Sequence, residues 1–369
     1  MKRLFSSLAA VLIAGAATLS GCTSQASQTG AKPAASGGKP YIAVVSKGFQ
    51  HQFWQTVLKG SKDAAAKYNV DITFDGPPSE SDIQAQVDMI NSDLAKNPAA
   101  LCLAALDTKS VTSQLNEAVS KNIPVIGFDS GVPDAPAGAI KATAATNNEA
   151  AGALAAQSMF DTAAFNAKLK AATPDNPVTI GVQSQDATSA SVVGRTVGFL
   201  NKMKSLAEGI FPGAVEITGH DKYAAKAANT PAVIIKVVVP PTTSATDAQV
   251  ASSGLLNEKN LIGFFASNEA SVNGILAATT DGSDLDRTNG KYKDLTVIGF
   301  DAGKAQKAAV KNGWFTGSIT QDPYQIGYLA VELAYKAING QQVADVDTGC
   351  KFYTSANMDQ ADIAQLLYD

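Results

Sequence analysis

The sequence predicts an α/β protein built from two doubly wound, Rossmann-like parallel-sheet lobes. At 369 residues the chain is longer than most single domains. Short apolar runs rich in β-branched residues alternate with segments of helical spacing along most of its length. One such run is written twice, as IPVIGFDSG at residues 123–131 and as LTVIGFDAG at residues 295–303. Each copy ends on an aspartate, Asp129 or Asp301, with glycine two residues later. Runs bounded by turn residues in this way read as buried strands of parallel sheets, and ligands of open α/β sheets bind at the carboxyl ends of such strands. Two facing lobes would therefore hold a pair of carboxylates across a cleft.

Composition narrows the function. Lys and Arg are scattered and the net charge is −4, so no basic stripe exists to meet a nucleic acid. Aromatic residues are only 7% of the chain, which gives weight to any aromatic pair found in a loop.

The first residues are set apart from the fold. Lys2 and Arg3 precede an uncharged, mostly apolar run over residues 4–18, the layout of a secretory signal, too short and Ala-rich to span a membrane. Leu19, Ser20, Gly21 and Cys22 resemble the lipobox of bacterial lipoproteins, which implies a signal over residues 1–22 and lipidation of Cys22. Residues 23–40 lack large apolar side chains and read as a flexible tether. Besides Cys22, only Cys102 and Cys350 occur, and both are expected to remain thiols.

From Tyr41 the elements follow in order. IAVVS is a strand, residues 53–68 a helix, DITFD a strand, and Ile83, Val87, Ile90 and Leu94 share one helical face. ALCLAAL, a helix over residues 108–121, and PVIGFD complete a first βαβ series. A second series opens with an Ala-rich helix at Asn148. It continues through VTIGVQ, a helix over residues 194–207, VIIKVVV, a helix over residues 247–257, LIGFFA, a helix from Glu269, LTVIGFD, a helix from Lys304, and FTGSIT. Residues 210–232, with His220 and Tyr223, read as an exposed loop.

Candidate site residues gather at predicted strand ends. In SKGFQHQFW, after the first strand, Phe53 and Trp54 can pack as core or offer a flat apolar face to a sugar, with Lys47 and His51 at the same edge. Asp129 and Asp301 can accept paired hydroxyls or cap a following helix. Arg195, Asn268 and Gln321 fall just beyond strands or in the next helix's first turns, a donor and acceptor mixture suited to a neutral polyhydroxy ligand.

Together, the IAVV strand leading to the FW pair, IPVIGFD, GRTVGF, SNEASVNG, VIGFDAG and SITQDPYQIGYLAVELAYKAINGQ resemble the type I solute-binding proteins of bacterial sugar ABC importers. The ribose-binding type is the nearest, and the resemblance spans residues 41–358. It implies the periplasmic-binding-protein type I fold with a three-crossing hinge near Thr146, Asp322 and Gly349. The N-terminal lobe would then hold residues 41–145 and 322–347, and the C-terminal lobe residues 146–321 and 348–369. It also implies that Phe53 and Trp54 sandwich a sugar ring, that Asp129, Arg195, Asn268, Asp301 and Gln321 bind its polar groups, and that Ser130 and Asn147 contribute. Ser130 stands where the ribose-binding pattern has arginine, and a second-lobe aromatic of the family falls near Thr242 and Thr243, so ribose is not implied.

The expectation is a monomeric, lipid-anchored extracytoplasmic protein that closes on a monosaccharide and delivers it to ABC permease subunits, with no cofactor, no metal and no enzymatic role. A receptor for a sugar-like signal is the alternative. A glycosidase using Asp129 and Asp301 is a distant one, since no GxSxG or HExxH motif accompanies them.

Overall fold

The computed structural model describes residues 38–49 and 51–368. The signal segment, Cys22 and nearly all of the tether lie outside the described residues. No helix of the described residues is long and apolar enough to cross a membrane.

The N-terminal half runs β1 (Tyr41–Val45), α1 (Gln52–Tyr68), β2 (Asp71–Asp75), α2 (Ile83–Ala95), β3 (Ala100–Leu103), α3 (Thr112–Ser120), β4 (Val125–Phe128) and β5 (Ile140–Ala145). The chain goes on through α4 (Asn148–Phe160), α5 (Ala163–Lys170), β6 (Val178–Gln183), α6 (Ala190–Glu208), β7 (Val215–Thr218), β8 (Val233–Val238) and α7 (Ala245–Leu256). Next come β9 (Leu261–Ala266), α8 (Glu269–Ala278), β10 (Thr296–Phe300), α9 (Lys304–Lys311) and β11 (Gly317–Gln321). The last elements are α10 (Pro323–Ile338), β12 (Val346–Asp347), β13 (Cys350–Tyr353) and α11 (Ala361–Ala364).

Two sheets result. The first has the order β12-β5-β4-β3-β1-β2, wholly parallel, and the second the order β13-β11-β10-β9-β6-β8-β7, parallel except at β13. Strands β3, β4, β6 and β10 are buried at every position, as runs covered on both faces must be. Strand order reverses between β1 and β3 and between β6 and β9, which makes the carboxyl ends of those strands the switch points where ligands bind. The chain crosses between the sheets three times: after β5, between β11 and α10, and between β12 and β13. Two crossings are bound side by side, with Thr146 Oγ1 donating to the Gly349 carbonyl at 3.1 Å and the Thr348 amide to the Ala145 carbonyl at 3.0 Å.

Several elements depart from the sequence reading. Residues 210–232 do not form a simple exposed loop: they contain the edge strand β7, and Tyr223 is buried against the second core. β5, whose IKATAA sequence has one large apolar residue, was not expected. The helix expected from residue 108 starts at Thr112, because the Asp107 carboxylate holds the Lys109 and Ser110 amides in a turn. Cys102 and Cys350 are both free thiols, Cys102 donating to the Ala330 carbonyl at 3.3 Å.

Each sheet carries one unusually close helix crossing. In the first, α1 meets α10 at Gly60 and Gly327, where an added Cβ would come within 2.0 Å of the Tyr324 and Val57 carbonyl oxygens. In the second, α4 meets α6 at Gly152 and Gly198, with the same 2.0 Å clearance to the Arg195 and Glu149 carbonyls. Helix α1 carries Phe53 and Trp54, and α6 carries Arg195, so the two crossings set the depth of both helices over the sheet ends. Gly327→Ala should therefore destabilise the protein by about 1–3 kcal/mol through overpacking. Gly254→Ala, at an open position of α7, should stabilise it by about 0.5–1 kcal/mol. Urea denaturation of the two variants checks both signs.

Candidate functional site

Loops at the carboxyl ends of both sheets enclose a cavity of about 20 Å³, lined by Lys47, His51, Phe53, Trp54, Glu80, Asp129, Arg195, Asn268, Asp301 and Gln321. That is room for about one water molecule. Nine of the ten residues are sequence candidates; Glu80 is not.

The two aspartates occupy equivalent positions. Each follows its VIGF strand with positive φ, 51° at Asp129 and 77° at Asp301. Each amide donates to the last turns of the neighbouring strand, Asp129 to the Ala144 carbonyl at 3.0 Å and Asp301 to the Ile319 carbonyl at 2.6 Å. Left-handed backbone is uncommon for a non-glycine residue, costs on the order of 1–3 kcal/mol, and concentrates at functional sites. Neither aspartate caps the element after it: β5 follows Asp129, and Gly303 is the N-cap of α9. Asp301 instead accepts from Gln321 Nε2 at 2.7 Å and from the Glu269 amide at 3.1 Å.

Glu80 is the hub of the site. It follows β2 in a loop that reads, as PPSESD, like a solvated turn ahead of the Asp82 cap of α2, and only its place at a strand's carboxyl end could have marked it. Buried, it accepts from Trp54 Nε1 at 2.8 Å and, across the cleft, from Gln185 Nε2 at 2.9 Å. Lys47 Nζ stands 3.6 Å away and His51 Nε2 3.7 Å away. Burial alone would raise its pKa, but Lys47, His51 and these donors lower it to about 2. Burial likewise opposes the Lys47 ammonium, yet Glu80, Asp129 and Asp186 outweigh it and hold the lysine above its ordinary value.

Phe53 and Trp54 are both buried, meeting edge to face at 5.0 Å and 88°, with Trp54 also edge-on to Phe128. They belong to the first core and line the cavity at once. Arg195 is oriented from three sides: its Nε donates to Asn148 Oδ1 at 2.9 Å, its Nη1 to the Ser267 carbonyl at 3.2 Å, and its guanidinium lies over the Phe300 ring at 3.9 Å. Asn268 caps α8 through the Ser271 amide and donates to Gln185 Oε1. Gln321 Oε1 is buried without a partner.

Two sequence candidates do not line the cavity. Ser130 is buried behind Asp129, where its Oγ accepts from the Ser191 amide at 3.4 Å. Asn147 caps α4 through the Ala150 amide, and its own amide donates to Asp347 Oδ1, which places it in the chain crossing. Thr242 and Thr243 lie at the cleft's rim, Thr243 Oγ1 3.2 Å from Ser79 Oγ. Among the described residues, no cluster of His, Cys, Asp or Glu could hold a metal ion.

Parallel lobes with opposed strand ends, a small cavity between them and a three-stranded crossing describe a two-lobed solute-binding protein. The match of residues 42–342 to the periplasmic binding protein domain places this chain in that family. It is 40% identical to an ABC transporter protein of Brachyspira murdochii described as a LacI family transcriptional regulator, with a TM-score of 0.74 over 90% of this chain and 99% of that one. An ABC transporter solute-binding protein of Agrobacterium vitis with bound D-fucose is 27% identical, with a TM-score of 0.71 over 89% of this chain and all 100% of the other. The D-allose-binding periplasmic protein of Escherichia coli is 23% identical over 84% of this chain and 88% of its own length.

Asp129 gives the site a measurable cost. Burial raises its pKa from 3.8 to about 6 despite Lys47 and Arg195. Because the folded-state value lies above the unfolded one, ionisation opposes folding: the penalty is absent below about pH 4 and complete above about pH 6. Asp129→Asn should accordingly stabilise the protein by on the order of 1–3 kcal/mol at pH 7.5 and by nothing at pH 4. Urea denaturation of both proteins at the two pH values checks this.

Proposed function

We propose that this protein captures a monosaccharide in the cleft between its lobes, outside the cytoplasm, and presents it to the permease of an ABC importer. The observation that carries this reading is the composition of one small cavity. Two aromatic rings come from a single helix start, and a set of buried acceptors and donors comes from the strand ends of both sheets. Aromatic faces suit the C–H surface of a sugar ring, while carboxylates and amides suit its hydroxyls. The E. coli relative named for D-allose and the A. vitis relative holding D-fucose support the ligand class. Lipidation at Cys22 would keep the protein at the membrane, within reach of the permease, and would act with the tether of residues 23–40.

Capture would proceed by closure about the three crossings. Bonds across the cleft favour the closed form in addition to any ligand contact: Gln185 to Glu80, Lys47 Nζ to Ser191 Oγ at 3.4 Å, Thr188 Oγ1 to the Leu106 carbonyl at 3.0 Å, and the Lys304 amide to Gln52 Oε1 at 2.8 Å. A sugar touching both sheet edges adds differential affinity for the same form, which a permease can then recognise. Residues 41–145 with 322–347 and residues 146–321 with 348–369 would move as the two bodies.

A thermal-shift and tryptophan-fluorescence screen of the mature protein against monosaccharides tests the ligand class, with a rise in apparent melting temperature and a fluorescence change expected for at least one sugar. Trp54→Ala should abolish the fluorescence response; a response like that of wild type would remove Trp54 from the site. Gln185→Leu, which leaves the lining intact but deletes a charged hydrogen bond of about 1.5–3 kcal/mol, should weaken binding roughly 10- to 150-fold, mostly through faster release in stopped-flow measurements.

A further inference from the structure

The cavity is not electrically balanced. Two fixed cations, Lys47 and Arg195, share its lining with three carboxylates, Glu80, Asp129 and Asp301. Arg195 is committed to Asp301, 3.6 Å from its Oδ2, and Asp301 also accepts two hydrogen bonds from the protein. Both oxygens of Glu80 accept hydrogen bonds as well. Asp129 differs. It is 3% exposed, and among the described residues its carboxylate receives no hydrogen bond. Its nearest cation, Lys47, stands 4.0 Å away, closer to Glu80 at 3.6 Å, and donates to Ser191.

His51 does not make up the difference. It stands 3.7 Å from Glu80 and 3.9 Å from Glu269, so counting it among the cations brings Glu269 into the count as a fourth carboxylate. Asp186, which acts on Lys47 from behind the lining, adds further negative charge. Two further buried atoms of the same lining have no hydrogen-bond partner among the described residues, Gln321 Oε1 and His51 Nε2. A neutral hydroxyl would satisfy one of these acceptors and leave the surplus charge in a water-poor site. An ammonium group satisfies the acceptor and the charge together, and charge-assisted bonds of this kind are roughly twice as strong as neutral ones.

Building on the monosaccharide reading above and narrowing it, we infer that the ligand is an amino sugar, a monosaccharide with one hydroxyl replaced by a protonated amine, and that Asp129 receives the ammonium. An amine is close in size to the hydroxyl it replaces, so a cleft that closes on one sugar closes on the other, and charge becomes the discriminating property. Ser130 fits the same account: this short neutral side chain follows Asp129 and adds no cation of its own, leaving Lys47 at 4.0 Å as the nearest.

The experiment is calorimetric titration of the mature protein at pH 7.5 with the pairs D-glucose and D-glucosamine, D-galactose and D-galactosamine, and D-mannose and D-mannosamine. At least one amine should bind tenfold or more tightly than its parent. The preference should vanish in Asp129→Asn, and in the wild type it should decline as the pH is lowered through about 6, where Asp129 takes up a proton. Parents binding as tightly as their amines, or a preference that survives in Asp129→Asn, would overturn the inference and leave the monosaccharide reading standing. Binding by no member of any pair would overturn the inference alone, and the broader monosaccharide reading falls only if the screen described above finds no sugar that binds.

Discussion

A carboxylate buried where two lobes meet must find donors on both sides, and Glu80 is the group on which that condition falls. Trp54 meets it from the first lobe and Gln185 from the second, with Lys47 close to the same oxygens. Deleting either donor while the cleft stays closed would leave the buried ion with unmet acceptor capacity, a state costing several kcal/mol. The aromatic platform, the lysine and the apposition of the lobes thus depend on one network. Through Gln185 it extends to Asn268 and the start of α8. The network thus ties the apposition of the two sheets to the orientation of the Trp54 ring.

The two halves reach the same local solution by the same means. Each sheet delivers an aspartate in left-handed backbone from a VIGFD strand, and each seats its ligand-facing helix by a glycine-to-backbone crossing. The strained turns lift the carboxyl groups off the sheet edges, and the crossings keep α1 and α6 low enough for Trp54 and Arg195 to reach the cavity. Beyond that the halves diverge. Asp301 is fully bonded and paired with Arg195, whereas Asp129 is left with acceptor capacity and a distant lysine. The first lobe therefore carries the carboxylate with free acceptor capacity and the second a fully bonded one.

Most of this was legible in the sequence, because parallel strands buried on both faces must be continuous apolar runs and because Asp, Arg, Asn and Gln at their carboxyl ends have few roles there but binding. VTIGVQ and LIGFFA match β6 and β9 residue for residue. The edge strand β7 was hidden, since VEIT is half exposed and sits in a polar stretch. Glu80 escaped for a related reason: in PPSESD nothing local distinguishes a buried hub from a solvated turn, and its burial is created by Trp54 and Gln185 from distant parts of the chain. Asn147 lies outside the cavity, at the chain crossing. Its neighbour Asn148 turns toward Arg195, while Asn147 caps α4, a difference of one residue in helical phase that spacing alone does not resolve.

Small-angle X-ray scattering of the mature protein, alone and with a saturating sugar, measures whether the lobes close on the ligand. A smaller radius of gyration and a shorter maximum dimension are expected in the sugar-bound sample. Superimposable profiles with and without a sugar shown to bind would contradict closure.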